Sequence, residues 1–403
     1  MIDFDIPPEL EDLRARVAAF VRDQVLPVEV DVAEERFDEV LRSLRERARA
    51  AGLWTPHLPV SWGGLGLGAL GMALVSQELG VSGLASLALN CMAPDEGNMH
   101  LLLDAGTSEQ QERYLRPLAD GEIRSCFAMT EPEVSGSDPQ GLLTRAVPEG
   151  NGWVIDGHKW FTSGARGAAF AVVVAMTDPG EERPHRRYSL FLVDATTPGF
   201  EVVRDIGVMG SHAPGGHPEV RLTSVRVPAG AMLGGRGEGF VLSQRRLGMG
   251  RIGHAMRWIG MAQRALDLAT ARSLDREMFG RRLSEHQATQ FAMADSATEL
   301  YASRLMVLHA AWKIDRGLEH RQEIAMVKTF VAEALGRIVD RALQLHGALG
   351  ISTDSPIERF YRDARAARIY DGPSEVHRML IARNLYRSFV ESGSTRGAAG
   401  GVA

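Results

Sequence analysis

Cysteine and lysine are both scarce in this chain, and each scarcity closes off a class of function. Two cysteines, Cys91 and Cys126, cannot build a disulfide framework, and neither falls in a Cys/His spacing that would hold zinc, so no metal site is expected. None of the three lysines, Lys159, Lys313 and Lys328, follows the glycine that a phosphate-binding P-loop demands. Gly-x-Ser-x-Gly and His-Glu-x-x-His are absent too, which removes the simplest hydrolase and metalloprotease readings. There is no excess of positive charge: the formal net charge of -6 argues against a nucleic-acid partner, because binding a polyphosphate needs clustered cations. No apolar run reaches the roughly 18 residues of a membrane-crossing helix. The opening MIDFDIPPELEDLR is acidic and lacks an apolar stretch, so no targeting signal is expected and cytoplasmic residence is the default.

What is present is the composition of a globular enzyme, 45% hydrophobic and 24% charged with 43 glycines. At 403 residues the chain exceeds one hydrophobic core and should divide into two or three compact regions. Residues 1–121 carry helical spacing of apolar side chains, as in 10–25 and 69–79. Residues 122–235 change to short runs rich in β-branched and aromatic residues. There Asp156-Gly157 predicts a hairpin turn between two antiparallel strands. Residues 236–391 return to long helices. One stripe runs through Ile252, Ala255, Met256, Ile259, Ala262, Leu266 and Ala269, and another through Ile324, Val327, Val331, Leu335, Ile338, Ala342 and Leu345. Ser284-x-x-Gln287 predicts a capping box opening a helix that Gly317 closes. The small-residue tail over 392–403 is expected to be disordered.

Single motifs leave alternatives open. Gly66-Leu67-Gly68-Ala69-Leu70-Gly71 matches the dinucleotide fingerprint in letters, but no strand precedes it, so it reads as a turn opening a helix. His212 and His217 form a pair in a Gly/Pro loop, which loop polarity explains better than ligand binding does. Asp371-Gly372-Pro373-Ser374-Glu375 has the composition of a helix start, with Asp at or near the N-cap.

The stretch Phe127-Ala128-Met129-Thr130-Glu131-Pro132-Glu133-Val134-Ser135-Gly136-Ser137-Asp138 resembles the signature of the acyl-CoA dehydrogenase family. Further family-like pieces follow the same order along the chain. These are Trp62-Gly63-Gly64-Leu65-Gly66, Lys159-Trp160-Phe161-Thr162-Ser163-Gly164, Val225-Arg226-Val227-Pro228, Arg276-x-x-Phe279-Gly280 with Gln287 beyond, Gln344-Leu345-His346-Gly347 and Ile369-Tyr370-Asp371-Gly372. The resemblance implies an α+β multidomain fold: a helical N-terminal domain, a central antiparallel β-barrel or sandwich, and a C-terminal four-helix bundle. It also implies FAD as cofactor and a homotetramer built as a dimer of dimers. Carried over by position, Phe127, Met129, Thr130, Ser137, Trp160 and Thr162 would line the flavin of their own subunit. Arg276, Phe279, Gln344 and Gly347 would come from a partner subunit, and Gln287, Pro373 and Glu375 complete the implied cofactor set.

In the same resemblance Asp371 stands where many members carry a catalytic glutamate, and Arg251 aligns with a bundle arginine near the active-site loop. An ion pair on a helix face is an equally good reading of Arg251. The second place where some members put their base is Gly250 here. The implied reaction is α,β-dehydrogenation of a medium- or long-chain, branched or substituted acyl-CoA to the trans-2-enoyl-CoA, with electrons passed to an electron-transferring flavoprotein. The longer Thr130-Glu131-Pro132-x-Val134-x-x-Ser137-Asp138 spacing and the Asp371-Gly372-Pro373-x-Glu375-Val376-His377 segment resemble a branch whose eukaryotic members are fused to a kinase-like domain. The competing expectations are oxidase or elimination chemistry on the same scaffold, and a non-catalytic flavin- or CoA-binding protein.

Overall fold

A computed structural model describes residues 5–29, 36–209 and 214–392. His212 and the tail beyond residue 392 lie outside the described residues. Apolar residues three and four apart build the first region. Helix α1 (Pro8–Phe20) buries Leu13, Val17 and Phe20, and α2 (Phe37–Ala50) buries Leu41, Leu44 and Ala48. They pack with α3 (Ala69–Leu79) and α4 (Gly83–Ala88) around one core, and α5 (Asp95–Ala105) leads toward the β region. The Gly66-to-Gly71 segment is a turn opening α3, as its context predicts. The first N–H groups of α3 receive a carboxylate from far along the chain: Asp315 accepts from Ala69 at 2.6 Å and Leu70 at 2.9 Å.

The middle region is one sheet of eight strands: β1 (Ser125–Ala128), β2 (Arg145–Glu149), β3 (Gly152–Lys159), β4 (Phe170–Met176), β5 (Tyr188–Asp194), β6 (Phe200–Asp205), β7 (Pro218–Pro228) and β8 (Met232–Leu233). The order is β6-β7-β3-β2-β4-β5-β8, with β1 parallel on β4. β4 and β5 are buried along their lengths and are correspondingly continuous in apolar residues. The hairpin expected at Asp156-Gly157 is not there. The turn lies at Gly150-Asn151, and Asp156-Gly157 falls inside β3, where the register against β7 shifts. Glycine is required at 157 by close approach, since a Cβ would sit 2.3 Å from Thr144 Oγ1.

The long helices α6 (Gly239–Asp275), α7 (Gln287–Asp315), α8 (Arg321–His346) and α10 (Ser374–Ser392) form the bundle, with α9 (Ile357–Ala366) packed alongside. The two predicted stripes meet in its core, apart from Leu266 and Leu345, which are only partly buried. The predicted capping box is wrong. Ser284 lies in a short turn, Leu283–Glu285, and α7 begins at Gln287 itself. Glu285 instead turns back to accept the N–H of Arg282 at 2.7 Å, because the hairpin of Glu277–Met278 and Arg281–Arg282 delivers the chain there. Gly317 does follow the end of α7, with φ +63°. Helix α3 lies directly on α6: a Cβ on Gly260 would meet Gln77 O at 2.0 Å. This contact holds the N-terminal region against the part of α6 that carries the site.

Candidate active site

The site is organised by one face of α6 and the turn before α10. Arg251, His254 and Trp258 are spaced three and four apart, so they share a face of α6. After α9 the chain turns with Ile369 N–H donating to Ala366 O, and Lys328 of α8 holds the same corner by donating to Ala367 O at 2.7 Å. Asp371 then takes φ +55° and Gly372 φ +93°. A non-glycine residue in the left-handed region carries strain, so it persists only where its surroundings fix it.

Those surroundings are specific. Arg251 Nε donates to the Asp371 carbonyl at 2.9 Å, and His377 Nε2 lies 3.3 Å from the same oxygen. His254 Nε2 lies 3.1 Å from Asp371 Oδ2. Among the described residues the backbone N–H of Asp371 makes no hydrogen bond. Helix α10 does begin beside the acid, at Ser374, with Pro373 O accepting from Val376 and His377. The Asp371 side chain points across to α6 rather than capping that helix. Arg251 likewise holds a carbonyl rather than an ion pair on a helix face.

Electrostatics reinforce this geometry. Burial pushes the Asp371 carboxyl up, but the hydrogen bond from His254, with the charges of Arg246 and Arg251 behind, outweighs it and holds the group well below the usual carboxylate range. Burial lowers Arg246 to about 10, partly offset by Asp371. Lys328 is pushed down to about 8 by burial, again against the pull of Asp371. His377 falls to about 4 because it is buried and faces Arg251. An anionic Asp371 therefore sits among cations on several elements.

The residues expected to line a flavin divide into two sets. Phe127, Met129 and Thr130 at the end of β1 lie beside Trp160 and Thr162, since Trp160 N–H donates to Thr130 O at 3.0 Å. Their backbone is locked by a buried ion pair: Lys159 Nζ meets Glu131 Oε1 at 2.8 Å and Met129 O at 2.9 Å. The guanidinium of Arg246 stands 4.1 Å over the Phe127 ring, which links this set to the face of α6 that carries Asp371's partners. Trp160 Nε1 and Thr162 Oγ1 are buried without a partner. Buried polar atoms of this kind need a hydrogen-bonding group, and a flavin edge has both donors and acceptors to offer, so the residues fit that cofactor. Ser137 is exposed on the loop after them.

The second set is not brought to Asp371 within the chain. Arg276, Phe279, Gln287, Gln344 and Gly347 are all exposed, Phe279 at 92% with φ +52°. Pro373 and Glu375 flank the acid in sequence, but the Glu375 side chain faces outward. Sequence reasoning missed Arg246, His254, Trp258, Lys328 and Tyr370. Helical spacing from Arg251 would have found His254 and Trp258, and Tyr370 stands beside Asp371 in the family-like segment; nothing local marks Arg246 or Lys328. A shallow cavity in the β region, lined by Glu131, Thr144, His158 and Arg221 among others, shares no residue with the Asp371 cluster.

Comparison with known proteins agrees along the chain. Residues 7–122, 126–225 and 237–386 match the N-terminal, middle and C-terminal domain models of acyl-CoA dehydrogenase. The "probable acyl-CoA dehydrogenase FadE2" of Mycobacterium tuberculosis is 40% identical, covering 95% of this chain and 96% of that one. Acyl-CoA dehydrogenase family member 11 of Rattus norvegicus is 38% identical over 93% of this chain, which spans 50% of that protein's length. The crystal structure of an acyl-CoA dehydrogenase from Geobacillus kaustophilus superposes with a TM-score of 0.84 at 29% identity, covering 95% of this chain and all of that one.

Proposed function

The chain belongs to the acyl-CoA dehydrogenase family of flavin-dependent oxidoreductases, and from that membership we propose that it dehydrogenates an acyl-CoA between Cα and Cβ with Asp371 as base. The observation that carries this reading is the Asp371 turn: a carboxylate whose surroundings favour its anion, beside a backbone N–H that makes no hydrogen bond among the described residues. An α-proton next to a thioester is weakly acidic, so the developing enolate needs donors. The free N–H of Asp371 is available to the thioester oxygen, and one such donor contributes about 3 kcal/mol to a transition state. The carboxylate takes the α-proton. FAD, when bound, supplies the acceptor for the β-hydrogen and its electron pair, leaving the trans-2-enoyl-CoA.

Phe127, Met129, Thr130, Trp160 and Thr162 are the own-subunit contacts in this reading, with Ser137 reaching from its loop. The exposed Arg276, Phe279, Gln287, Gln344 and Gly347 serve a neighbouring subunit of a homotetramer. Pro373 and Glu375 frame the cofactor beside the base. Gly250 has open space where a side chain would begin, one turn before His254, so no second carboxylate competes with Asp371. The shorter aspartate and this gap support a bulky or substituted acyl chain. The reoxidant is an electron-transferring flavoprotein.

Anaerobic titration of the flavin-loaded protein with acyl-CoAs of graded length and substitution tests the reading. Bleaching of the flavin with formation of the enoyl product is expected. A panel that leaves the flavin oxidised would return Asp371 to a structural role. Reoxidation by oxygen as fast as by the electron-transferring flavoprotein would make the protein an oxidase.

A further inference from the structure

We infer that His254 is the positioning residue of the Asp371 carboxylate, held as a neutral imidazole with its proton on Nε2 by a chain that begins at Glu96. The inference rests on Asp371 being the base proposed above. Glu96 of α5 accepts from Arg257 Nη1 at 3.2 Å, and Cys91 O accepts from the same nitrogen at 3.3 Å. The other guanidinium nitrogen, Nη2, lies 3.3 Å from His254 Nδ1. A guanidinium has donors only, so Nδ1 must be the acceptor of this contact and carries no proton. The imidazole proton is therefore on Nε2, which faces Asp371 Oδ2 at 3.1 Å. A second proton on Nδ1 would face the positive Arg257. The contact is thus a neutral donor to a carboxylate and not an imidazolium ion pair.

The ring itself has little freedom. It stacks on Trp258 at 6.1 Å and 21°, and meets Tyr370 edge-on at 5.3 Å. Trp258 Nε1 in turn donates to the Tyr370 hydroxyl at 2.7 Å, closing the aromatic wall. The carbonyl of Asp371 is fixed separately by Arg251. Backbone and side chain of the base are thereby held by different residues of one helix, and the side-chain hold is His254. An aspartate has fewer torsions than a glutamate, so one donor to its carboxylate sets the direction in which it faces a thioester.

Charged and titratable groups around the pair come from several elements: Arg246, Arg251 and Arg257 on α6, Glu96 on α5, Lys328 on α8, and Tyr370, Glu375 and His377 around the turn and α10. All of them remain in a variant changed only at 254, so a changed pH profile reports the lost donor.

The test uses the flavin-loaded enzyme with His254→Phe, which keeps a ring between Trp258 and Tyr370 but removes the donor, and His254→Gln, which keeps an amide donor. In His254→Phe the limiting rate of flavin reduction by acyl-CoA should fall about tenfold to a hundredfold, the worth of one hydrogen bond to a charged acceptor. The dissociation constant for acyl-CoA should stay unchanged. The acid limb of the rate should move to higher pH, because the carboxylate loses a partner that stabilises its anion. His254→Gln should recover most of both effects. A wild-type rate and pH profile in His254→Phe overturns the inference, and so does an equal loss in both variants, which would mark a purely structural role. Nitrogen-15 NMR of ring-labelled histidine gives a readout without turnover. The resonance missing from His254→Phe should show the neutral Nε2–H form at pH 7, and an imidazolium there overturns the inference. A wild type that no acyl-CoA reduces, with this tautomer present, defeats the base assignment and leaves the hydrogen-bond chain standing.

Discussion

Two carboxylates in this molecule each meet a basic partner, and they differ in what is left unsatisfied. Glu131 is 1% exposed and bonded through both oxygens: Lys159 donates to it at 2.8 Å, and the N–H groups of Leu143 and Thr144 donate at 2.5 and 3.0 Å. Asp371 lies in a left-handed turn, touches His254 with one oxygen, and its backbone N–H makes no hydrogen bond among the described residues. The first arrangement ties the β1 end to the loops around it with both carboxylate oxygens engaged. The second holds a charge in place with hydrogen-bonding capacity to spare, which is the condition for receiving a substrate.

Removing the proposed base should give the largest effect. Asp371→Asn is expected to keep the flavin bound while lowering its reduction by acyl-CoA by about a thousandfold, within the range for a lost general base; stopped-flow absorbance checks it. Retained turnover would place Asp371 with Glu131 as architecture. Breaking the other pair should act on folding. Glu131→Gln leaves Lys159, already lowered to about 8 by burial, in a fully buried site without its carboxylate and should cost about 3–5 kcal/mol, seen as a lowered midpoint in denaturant melts.

Lysine titration sharpens the contrast through pH. Lys328 is lowered to about 8 in the folded state and titrates higher when unfolded. Between those values the unfolded chain binds more protons, so its contribution to stability rises with pH and is lost as pH falls through the folded value. The melting temperature of the wild type relative to Lys328→Met should therefore increase from pH 7.5 to 10. A pH-independent difference would show that Lys328 is not desolvated. Asp315 offers the smallest effect. This third carboxylate only caps α3, and Asp315→Ala should cost about 1 kcal/mol without changing flavin reduction.

Much of the bundle was legible because apolar periodicity is a local property of sequence: Ile252 to Ala262 and Ile324 to Ala342 fall in the core as their spacing predicts. Errors arose where one local motif serves two purposes. Asp156-Gly157 has the letters of a hairpin, yet Gly157 is small because Thr144 crosses it. Ser284 and Gln287 have the spacing of a capping box, yet Glu285 and Arg282 cap only the short turn before the helix, whose own entry at His286 has no side-chain cap. Asp371 was identifiable through family-like neighbours, whereas His254, 117 positions earlier in the numbering, could be reached only through its helical spacing from Arg251 and not from the acid's own surroundings.

By itself the sequence determined the division into helical, β and helical regions, because burying an apolar face imposes a repeat that neighbouring residues must obey. It also determined, through its ordered motifs, the family and the carboxylate on which the chemistry is proposed to turn. Only tertiary structure decided how that carboxylate is held. The packing of α5 on α6 brings Glu96 and Arg257 together, Arg257 sets the face of His254 that carries the proton, and His254 meets Asp371. Hydrogen bonds between groups so distant along the chain depend on directions in space, which no local pattern of residues encodes.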